Sequence, residues 1–480
     1  MNTVFTTGLP YANGQLHIGH IYEWLLGDSL KRLYEQRGLH ACWVSGDDAH
    51  GVAVLQQAQK LGVKPHDLVL GLTQERKKTV VALGLEGGNY LSTQEGFHRD
   101  FVHRIYKQLL DKGFIVQKKC LQYFSLSGVP LFERDVWGRC RHCQQLSFLG
   151  ACDNCFQSLE AGDLLDPVCK KTGQKVEQQE ILLEHFDWGR TRKDVLLWVH
   201  NQKWDSGLKK KVLFDGEQLP SLWCIERPGE YFGVDVPNKD THFYVWFEAL
   251  LGYYSFAEHL NKKGEFVHII GKDIVAFHAL RLIGLCVALD WDKPSLLVHG
   301  FVVDDKNAKF AKSKGNAPDL QNILTKYSSD TLRYCLLKNT KGVGDIPFSE
   351  HALFQTQKQL ACLLGNTYRR LFVLANGQTV KLDKQQEARI QAWKKATPRI
   401  VETGQAGGWL LEGEKILQEA NTLVSSLKLW EQKESLASKQ LFSQVVEVLH
   451  ELTFLLPCGL GRFSSDKENN CLSKDSVFFS

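Results

Sequence analysis

The sequence predicts an α/β protein: a split Rossmann-type parallel sheet, interrupted by an inserted cysteine-rich domain and followed by an α-helical bundle. Three observations carry this. Strand, helix and strand follow one another within the first fifty residues, and the same alternation returns only near residue 267. From about 350 onward apolar residues recur every three or four positions with few prolines, which is the pattern of packed helices. A chain of 480 residues exceeds one ordinary domain, so several units are expected.

Val4-Phe5-Thr6 is β-branched and aromatic and reads as the first strand. The turn-rich Leu9-Pro10-Tyr11-Ala12-Asn13-Gly14 follows, then Ile18, Ile21, Leu25, Leu26, Leu30 and Leu33 keep helical spacing until Gly38. Ala41–Ser45 is a second strand running into Gly46-Asp47-Asp48, which completes a βαβ unit and therefore a parallel pair. Val267–Ile270 resumes the pattern and leads through Gly271-Lys272-Asp273 into a helix ending about Leu289, with a further strand at Leu296–His299. The expected division is residues 1–117 and 236–320 for the two halves of the sheet domain, 118–235 for the insertion, 321–350 for a linker, 351–460 for the helical domain and 461–480 for a polar tail. Helices are expected at 351–376, 385–403, 412–432 and 436–456.

Hydrophobic residues make up 43% of the chain and charged ones 23%, a globular balance, and no apolar run reaches the length of a membrane span. Met1-Asn2-Thr3-Val4-Phe5-Thr6-Thr7 lacks the regions of a signal peptide, so a cytoplasmic setting is expected. A net charge of +4 neither requires nor excludes a nucleic-acid partner. Of 13 cysteines, four fall in one cluster, Cys140-Arg141-His142-Cys143 and Cys152-Asp153-Asn154-Cys155, at about 138–158. Paired CxxC turns at this spacing predict a structural zinc knuckle with four thiolate ligands, with His142 as a spare donor; the scattered remainder read as reduced thiols.

His17 and His20 stand three apart where the first helix begins, just after a strand. Backbone N–H groups and the helix dipole favour phosphate there, and two imidazoles on one face would add donors to it. Gly19 lets a nucleotide approach the backbone. By itself the spacing is weak, and two core or surface histidines are the more common explanation. The loop after the last strand holds Lys309-Phe310-Ala311-Lys312-Ser313-Lys314-Gly315, whose lysines can close over the same phosphates; alone, such a loop reads as solvated surface.

His17-Ile18-Gly19-His20 and Lys309-Phe310-Ala311-Lys312-Ser313 together resemble the two signatures of class I aminoacyl-tRNA synthetases. Within that class the chain resembles the methionyl-tRNA synthetases over nearly its full length. Supporting segments are Leu9–Gly14, Gly46-Asp47-Asp48-Ala49-His50-Gly51, Tyr244-Val245-Trp246-Phe247-Glu248-Ala249 and Gly271-Lys272-Asp273-Ile274-Val275-Ala276-Phe277-His278. The resemblance implies that Asp48 pairs with the substrate α-ammonium group, and that Leu9, Tyr11, Trp246, Ala249, Tyr253, Ile274 and His278 line a methionine pocket. It further implies that Gly271 and Asp273 lie near the ATP ribose and adenine, and that His17, His20, Lys309 and Lys312 are catalytic.

In the helical region Asn366, Arg370 and Trp430 match anticodon-reading positions, and the linker would touch the tRNA stem. The implied reaction is ATP-dependent activation of methionine, with Mg2+ accompanying ATP, followed by transfer to tRNA(Met); a monomer is expected. Two departures stand out. Ala311 replaces serine in the second signature, and Arg281-Leu282-Ile283-Gly284 replaces an aromatic-rich run behind the pocket. They keep two other readings in play: a paralogue loading another amino acid or feeding a non-ribosomal pathway, and a non-catalytic tRNA-binding module.

Overall fold

The computed structural model describes residues 2–132, 135–152, 154–155, 158–159, 161–310, 318–360, 388, 392 and 406–426. Strand β1 (Asn2–Thr7), helix α1 (Ile18–Gln36) and strand β2 (His40–Asp47) form the expected βαβ unit. Helices α2 (Val52–Leu61) and α3 (Pro65–Ala82), strand β3 (Tyr90–Ser92) and helix α4 (Gly96–Asp111) complete the first half. Five of the six β1 residues are buried, as befits a parallel strand covered on both faces.

The insertion opens with β4 (Ile115–Phe124) and β5 (Pro130–Leu131). A small cysteine-bearing lobe follows, built from β6 (Val136–Cys140), β7 (Leu146–Phe148), β8 (Gly150–Ala151), β9 (Ser158–Leu159) and β10 (Leu164–Cys169). The chain then returns along β11 (Glu177–Asp187), antiparallel to β4 over ten residue pairs from Glu177↔Phe124 to Phe186↔Ile115. Helices α5 (Arg192–His200) and α6 (Ser206–Gln218) precede β12 (Leu222–Cys224), which joins the sheet β12-β11-β4-β5. The β13 (Glu226–Pro228) and β14 (Thr241–Phe243) pair leads out of the insertion.

Helix α7 (Val245–His259), strand β15 (Glu265–Gly271), a π-helical turn (Phe277–Leu282) continued by α8 (Ile283–Leu289), and strand β16 (Ser295–His299) form the second half. All five strands of the main sheet run parallel, in the order β16-β15-β1-β2-β3. The chain winds outward both ways from β1, so β1 and β15 flank the switch point of the sheet. Loops at their carboxyl ends diverge there and leave a crevice.

After β17 (Val302–Val303) come α9 (Leu320–Lys326), α10 (Ser329–Lys338), β18 (Ile346–Pro347), α11 (Glu350–Leu360) and α12 (Ala406–Ser426). One core joins α1 and the sheet to these elements through Trp24, Leu25, Trp43, Leu336, Leu353 and Leu410. A second, on the other side, gathers α4, α7, α8 and the root of the insertion around Phe186, Trp223, Phe247 and Leu285.

Helix α12 begins at Ala406, six residues before the start at 412 read from apolar spacing. Gly407 and Gly408 hide that beginning in the sequence. In the fold a Cβ at Gly407 would lie 2.3 Å from the Lys338 carbonyl oxygen and 2.8 Å from that of Thr340, so glycine is what permits α12 to press against the end of α10. The expected helices at 385–403 and 436–456 and the tail at 461–480 fall outside the described residues, apart from positions 388 and 392.

Candidate active site

His17 is the N-cap of α1, and its ring accepts a hydrogen bond from Gly19 N at 3.1 Å through Nδ1. His17 N in turn donates to His20 Nδ1 at 3.3 Å, which makes a reciprocal capping box from two imidazoles. The rings stack with centroids 3.7 Å apart and planes 17° from parallel. Because each Nδ1 accepts, the neutral tautomer carries its proton on Nε2. Local capping thus turns two histidines into a pair of oriented N–H donors at the positive end of a 19-residue helix. A Cβ at Gly19 would stand 3.0 Å from the His17 ring, so glycine also protects this stack.

These residues line a cavity of about 310 Å³ at the carboxyl ends of β1 and β15, a volume suited to a small-molecule substrate. Gly271, Asp273 and Lys309 share its wall, as do Leu9, Tyr11, Asp48, Trp246, Ala249, Tyr253, Ile274 and His278. The fold therefore brings together every candidate phosphate, nucleotide and amino-acid contact named from the sequence that lies within the described residues. Lys312, Asn366, Arg370 and Trp430 lie outside them. A second depression, of about 350 Å³, lies on the cysteine-bearing lobe beside Trp137 and Cys169, away from these residues.

Asp48 is held by its backbone: its N–H donates to the Pro10 carbonyl at 3.1 Å and its carbonyl accepts from Ala12 N at 2.8 Å. Its carboxylate is 5% exposed, and Oδ1 is buried with no hydrogen-bond partner. Burial, and then the neighbouring Glu248 carboxylate, push the Asp48 carboxyl well above its ordinary value. The His50 backbone N–H offsets part of this, but a buried carboxylate oxygen without a partner is costly, and a cation arriving in the cavity would relieve it. Glu248 behaves oppositely. Burial would raise it, but His50 Nδ1 and His98 Nε2, both at 2.7 Å, overcome that and bring it down to about 2.

The apolar part of the wall is aromatic. Trp246 stacks on Phe277 with centroids 4.1 Å apart, and Tyr11 meets it edge-on at 6.2 Å. His278 Nδ1 donates to the Ile274 carbonyl at 3.0 Å, so Nε2 accepts from Tyr253 OH at 2.9 Å. Burial pulls the His278 imidazole down to about 4, which leaves it neutral near pH 7. Arg281 is not part of the cavity wall. Its guanidinium lies 5.0 Å from the Trp223 ring centroid and 5.5 Å from that of Trp188, and Trp223 in turn contacts Phe277 at 6.3 Å. The two tryptophans restore an aromatic layer behind the pocket, with Arg281 packed on it by cation–π contact.

Lys309 Nζ donates to Asp273 Oδ2 at 3.0 Å and lies 3.8 Å from the Phe301 ring centroid. Both partners are about half exposed, so the ion pair is weak and exchangeable for a phosphate oxygen. Sequence reasoning missed three further groups. Glu23 and His299 face each other across the cavity wall at 3.0 Å. Burial raises Glu23; burial lowers His299, but the facing carboxylate outweighs it and lifts the imidazole. Glu23 stands one helical turn beyond His20 and was accessible to that argument. Arg76 was not: from α3 its Nη2 donates to the carbonyls of Tyr11 at 2.8 Å and Gly14 at 2.7 Å while Nη1 pairs with Asp47, fixing the loop that carries Leu9 and Tyr11.

In the insertion the sulfurs of Cys140, Cys143, Cys152 and Cys155 lie within 4.8 Å of one another. Cys140 and Cys155 are 3.8 Å apart and Cys143 and Cys152 are 3.6 Å apart. Four sulfurs about 2.3 Å from a tetrahedral zinc ion stand about 3.8 Å from each other, so the cluster fits zinc in size and donor type. His142 contributes its backbone N–H to Cys140 Sγ at 3.4 Å, and the ligand group consists of the four thiols.

The sequence pattern of the tRNA synthetases class I (M) family matches residues 3–372. The methionine–tRNA ligases of Buchnera aphidicola subsp. Acyrthosiphon pisum, strains Tuc7 and 5A, are each 30% identical over 358 residues, covering 70% of this chain. The chain spans 65% of the length of those relatives. A crystal structure of Mycobacterium tuberculosis methionyl-tRNA synthetase bound by methionyl-adenylate superimposes with a TM-score of 0.76 at 21% identity, covering 96% of this chain and 93% of the other. Another structure of that enzyme with methionyl-adenylate gives the same TM-score at 20% identity and 92% coverage of its chain. At such identity the likeness speaks for the fold, a parallel sheet with helices on both faces.

Proposed function

Because the chain belongs to the tRNA synthetases class I (M) family, we propose that it activates methionine with ATP and transfers the methionyl group to tRNA(Met). The observation that carries this reading is Asp48. An unpartnered buried carboxylate oxygen, set in a cavity otherwise walled by Trp246, Tyr253 and Ile274, suits a ligand with an ammonium group and an apolar side chain. A thioether fits such a wall, and neutral His278 and Tyr253 offer it weak polar contacts without a charge.

In the first step a methionine carboxylate oxygen bonds to the α-phosphorus of ATP, and the bond to the β-phosphate breaks to release pyrophosphate. His17 and His20 would direct Nε2–H toward the phosphate oxygens, and Lys309 would exchange Asp273 for them; Lys312 is assigned the same role by sequence. The chain thus supplies positioning and fixed donors and needs no covalent nucleophile. In the second step a terminal ribose hydroxyl of the tRNA takes the acyl group and AMP leaves. Mg2+ accompanies ATP and offsets its charge. Zinc in the four-cysteine cluster would cross-link the insertion, with no open ligand position for chemistry. Asn366, Arg370 and Trp430 are our candidates for reading the anticodon, in a monomer working in the cytoplasm.

ATP–pyrophosphate exchange measured with each of the twenty amino acids tests the proposal. Exchange should depend on methionine, and Asp48→Asn should lower it by roughly ten- to a hundredfold through loss of a charge-assisted contact. Exchange driven by a different amino acid would make the chain a paralogue of altered specificity. Absence of exchange with all twenty would leave a tRNA-binding module.

A further inference from the structure

A second group of metal-binding side chains lies in the insertion, apart from the four-cysteine cluster. Cys120 on β4, His185 on β11 and Cys224 on β12 each offer one donor atom, and the three donors lie within 4.8 Å of one another. These strands are neighbours in one sheet, with β11 in the middle and His185 paired directly with Cys224. Cys120 and Cys224 are partly buried, while His185 is 5% exposed.

Three details favour a metal over a simple polar cluster. His185 Nδ1 donates to the Leu183 carbonyl at 3.0 Å, which fixes the tautomer and leaves the Nε2 lone pair for coordination. Histidines that bind metals are held by such an outer hydrogen bond. The Arg227 guanidinium stands 3.8 Å from Cys224 Sγ and favours the thiolate that coordination requires. Finally, two sulfurs and one imidazole are the soft and borderline donors that select zinc among common divalent ions.

We infer that Cys120, His185 and Cys224 form a second zinc site, with three protein ligands and an open fourth position. Such sites hold metal more exchangeably than closed four-thiolate ones, and the fourth position accepts water or a small thiol. A metal there would tie β12 to β4 across β11. Trp223, the neighbour of Cys224, contacts Phe277, which stacks on Trp246, so the tie lies directly behind the aromatic wall of the cavity.

The test is zinc counting on the untagged full-length protein, loaded with zinc and freed of loose metal by gel filtration. Two zinc ions per chain are expected. Cys120→Ser and His185→Gln should each retain one, and the double variant Cys140→Ser with Cys143→Ser should also retain one. Cobalt-loaded wild-type protein gives a second measurement that needs no variant: its spectrum should contain a mixed sulfur–nitrogen site as well as a four-sulfur site. One zinc per chain in the wild type would overturn the inference, as would no zinc in the double variant. A Cys120–Cys224 disulfide found by peptide mass spectrometry in zinc-loaded protein would do the same.

Discussion

His278 shows how a single side chain can be read from its hydrogen bonds. The Ile274 carbonyl takes the Nδ1 proton, Tyr253 supplies one to Nε2, and burial holds the ring neutral with a pKa of about 4 against 6.5 when exposed. Between those two values the unfolded chain binds more protons at this position than the folded one, so folding stability rises with pH there. The contribution is complete above about pH 6.5 and is lost as pH falls toward 4. From pH 7 to pH 5 the loss from this residue should be about 2 kcal/mol. Urea unfolding of wild type and His278→Gln at both pH values checks it: the variant should lose that much less stability on acidification. Equal losses would mean the imidazole is protonated in the fold. Asp48 follows the same logic with opposite chemistry: burial raises its carboxyl, and its unpartnered Oδ1 suits a cation.

Among elements, α12 carries the clearest departure from sequence-based expectation. Apolar spacing is a sound guide to a helix interior, but a pair of glycines at a helix start looks like a loop because glycine is a poor helix former. Here Gly407 is used for close approach, with the α10 carbonyls in the space a Cβ would take, while Gly408 faces open space. The two positions should therefore respond oppositely to alanine. Gly407→Ala should destabilise the protein by about 1–3 kcal/mol through overpacking. Gly408→Ala should stabilise it by about 0.5–1 kcal/mol through helix propensity. Thermal or urea unfolding of the pair reads the difference, and equal shifts would remove the packing argument. Helix α1 is the opposite case. Its register was legible from six apolar residues, yet its most consequential feature, the imidazole capping box, was not, because capping by histidine has no ordinary sequence signature.

At the scale of the whole molecule, the parts far apart in sequence are joined by buried charge. Asp28 on α1 accepts from Arg32 at 2.7 Å and from Arg333 on α10 at 2.8 Å, with Asp28 1% and Arg333 0% exposed. Arg333 also donates to the Leu25 carbonyl and Ser29 Oγ, both on α1, and to the Leu83 carbonyl. Tyr334 and Lys338 then hold Glu414 of α12. Asp28→Asn keeps the shape but leaves Arg333 without its counter-ion, which should cost about 3–5 kcal/mol in urea unfolding. A loss below about 1 kcal/mol would show that Asp330, the other nearby carboxylate, or water already compensates the guanidinium.

Strands β1, β2, β15 and β16, helix α1 and the four-cysteine cluster were legible in the amino-acid sequence, as were the runs at 17–20 and 309–313 offered as phosphate contacts. Each is a local pattern: period, spacing or a short run whose chemistry does not depend on what lies across the fold. Even the chain's wall residues could be named, since they sit in runs that keep their order. What tertiary structure alone decided is which distant groups meet. Arg76 anchors the Leu9–Gly14 loop, Trp188 and Trp223 receive Arg281, and Cys120, His185 and Cys224 converge from three strands. No periodicity encodes such meetings, because they depend on strand order, register and the direction of side chains across long loops.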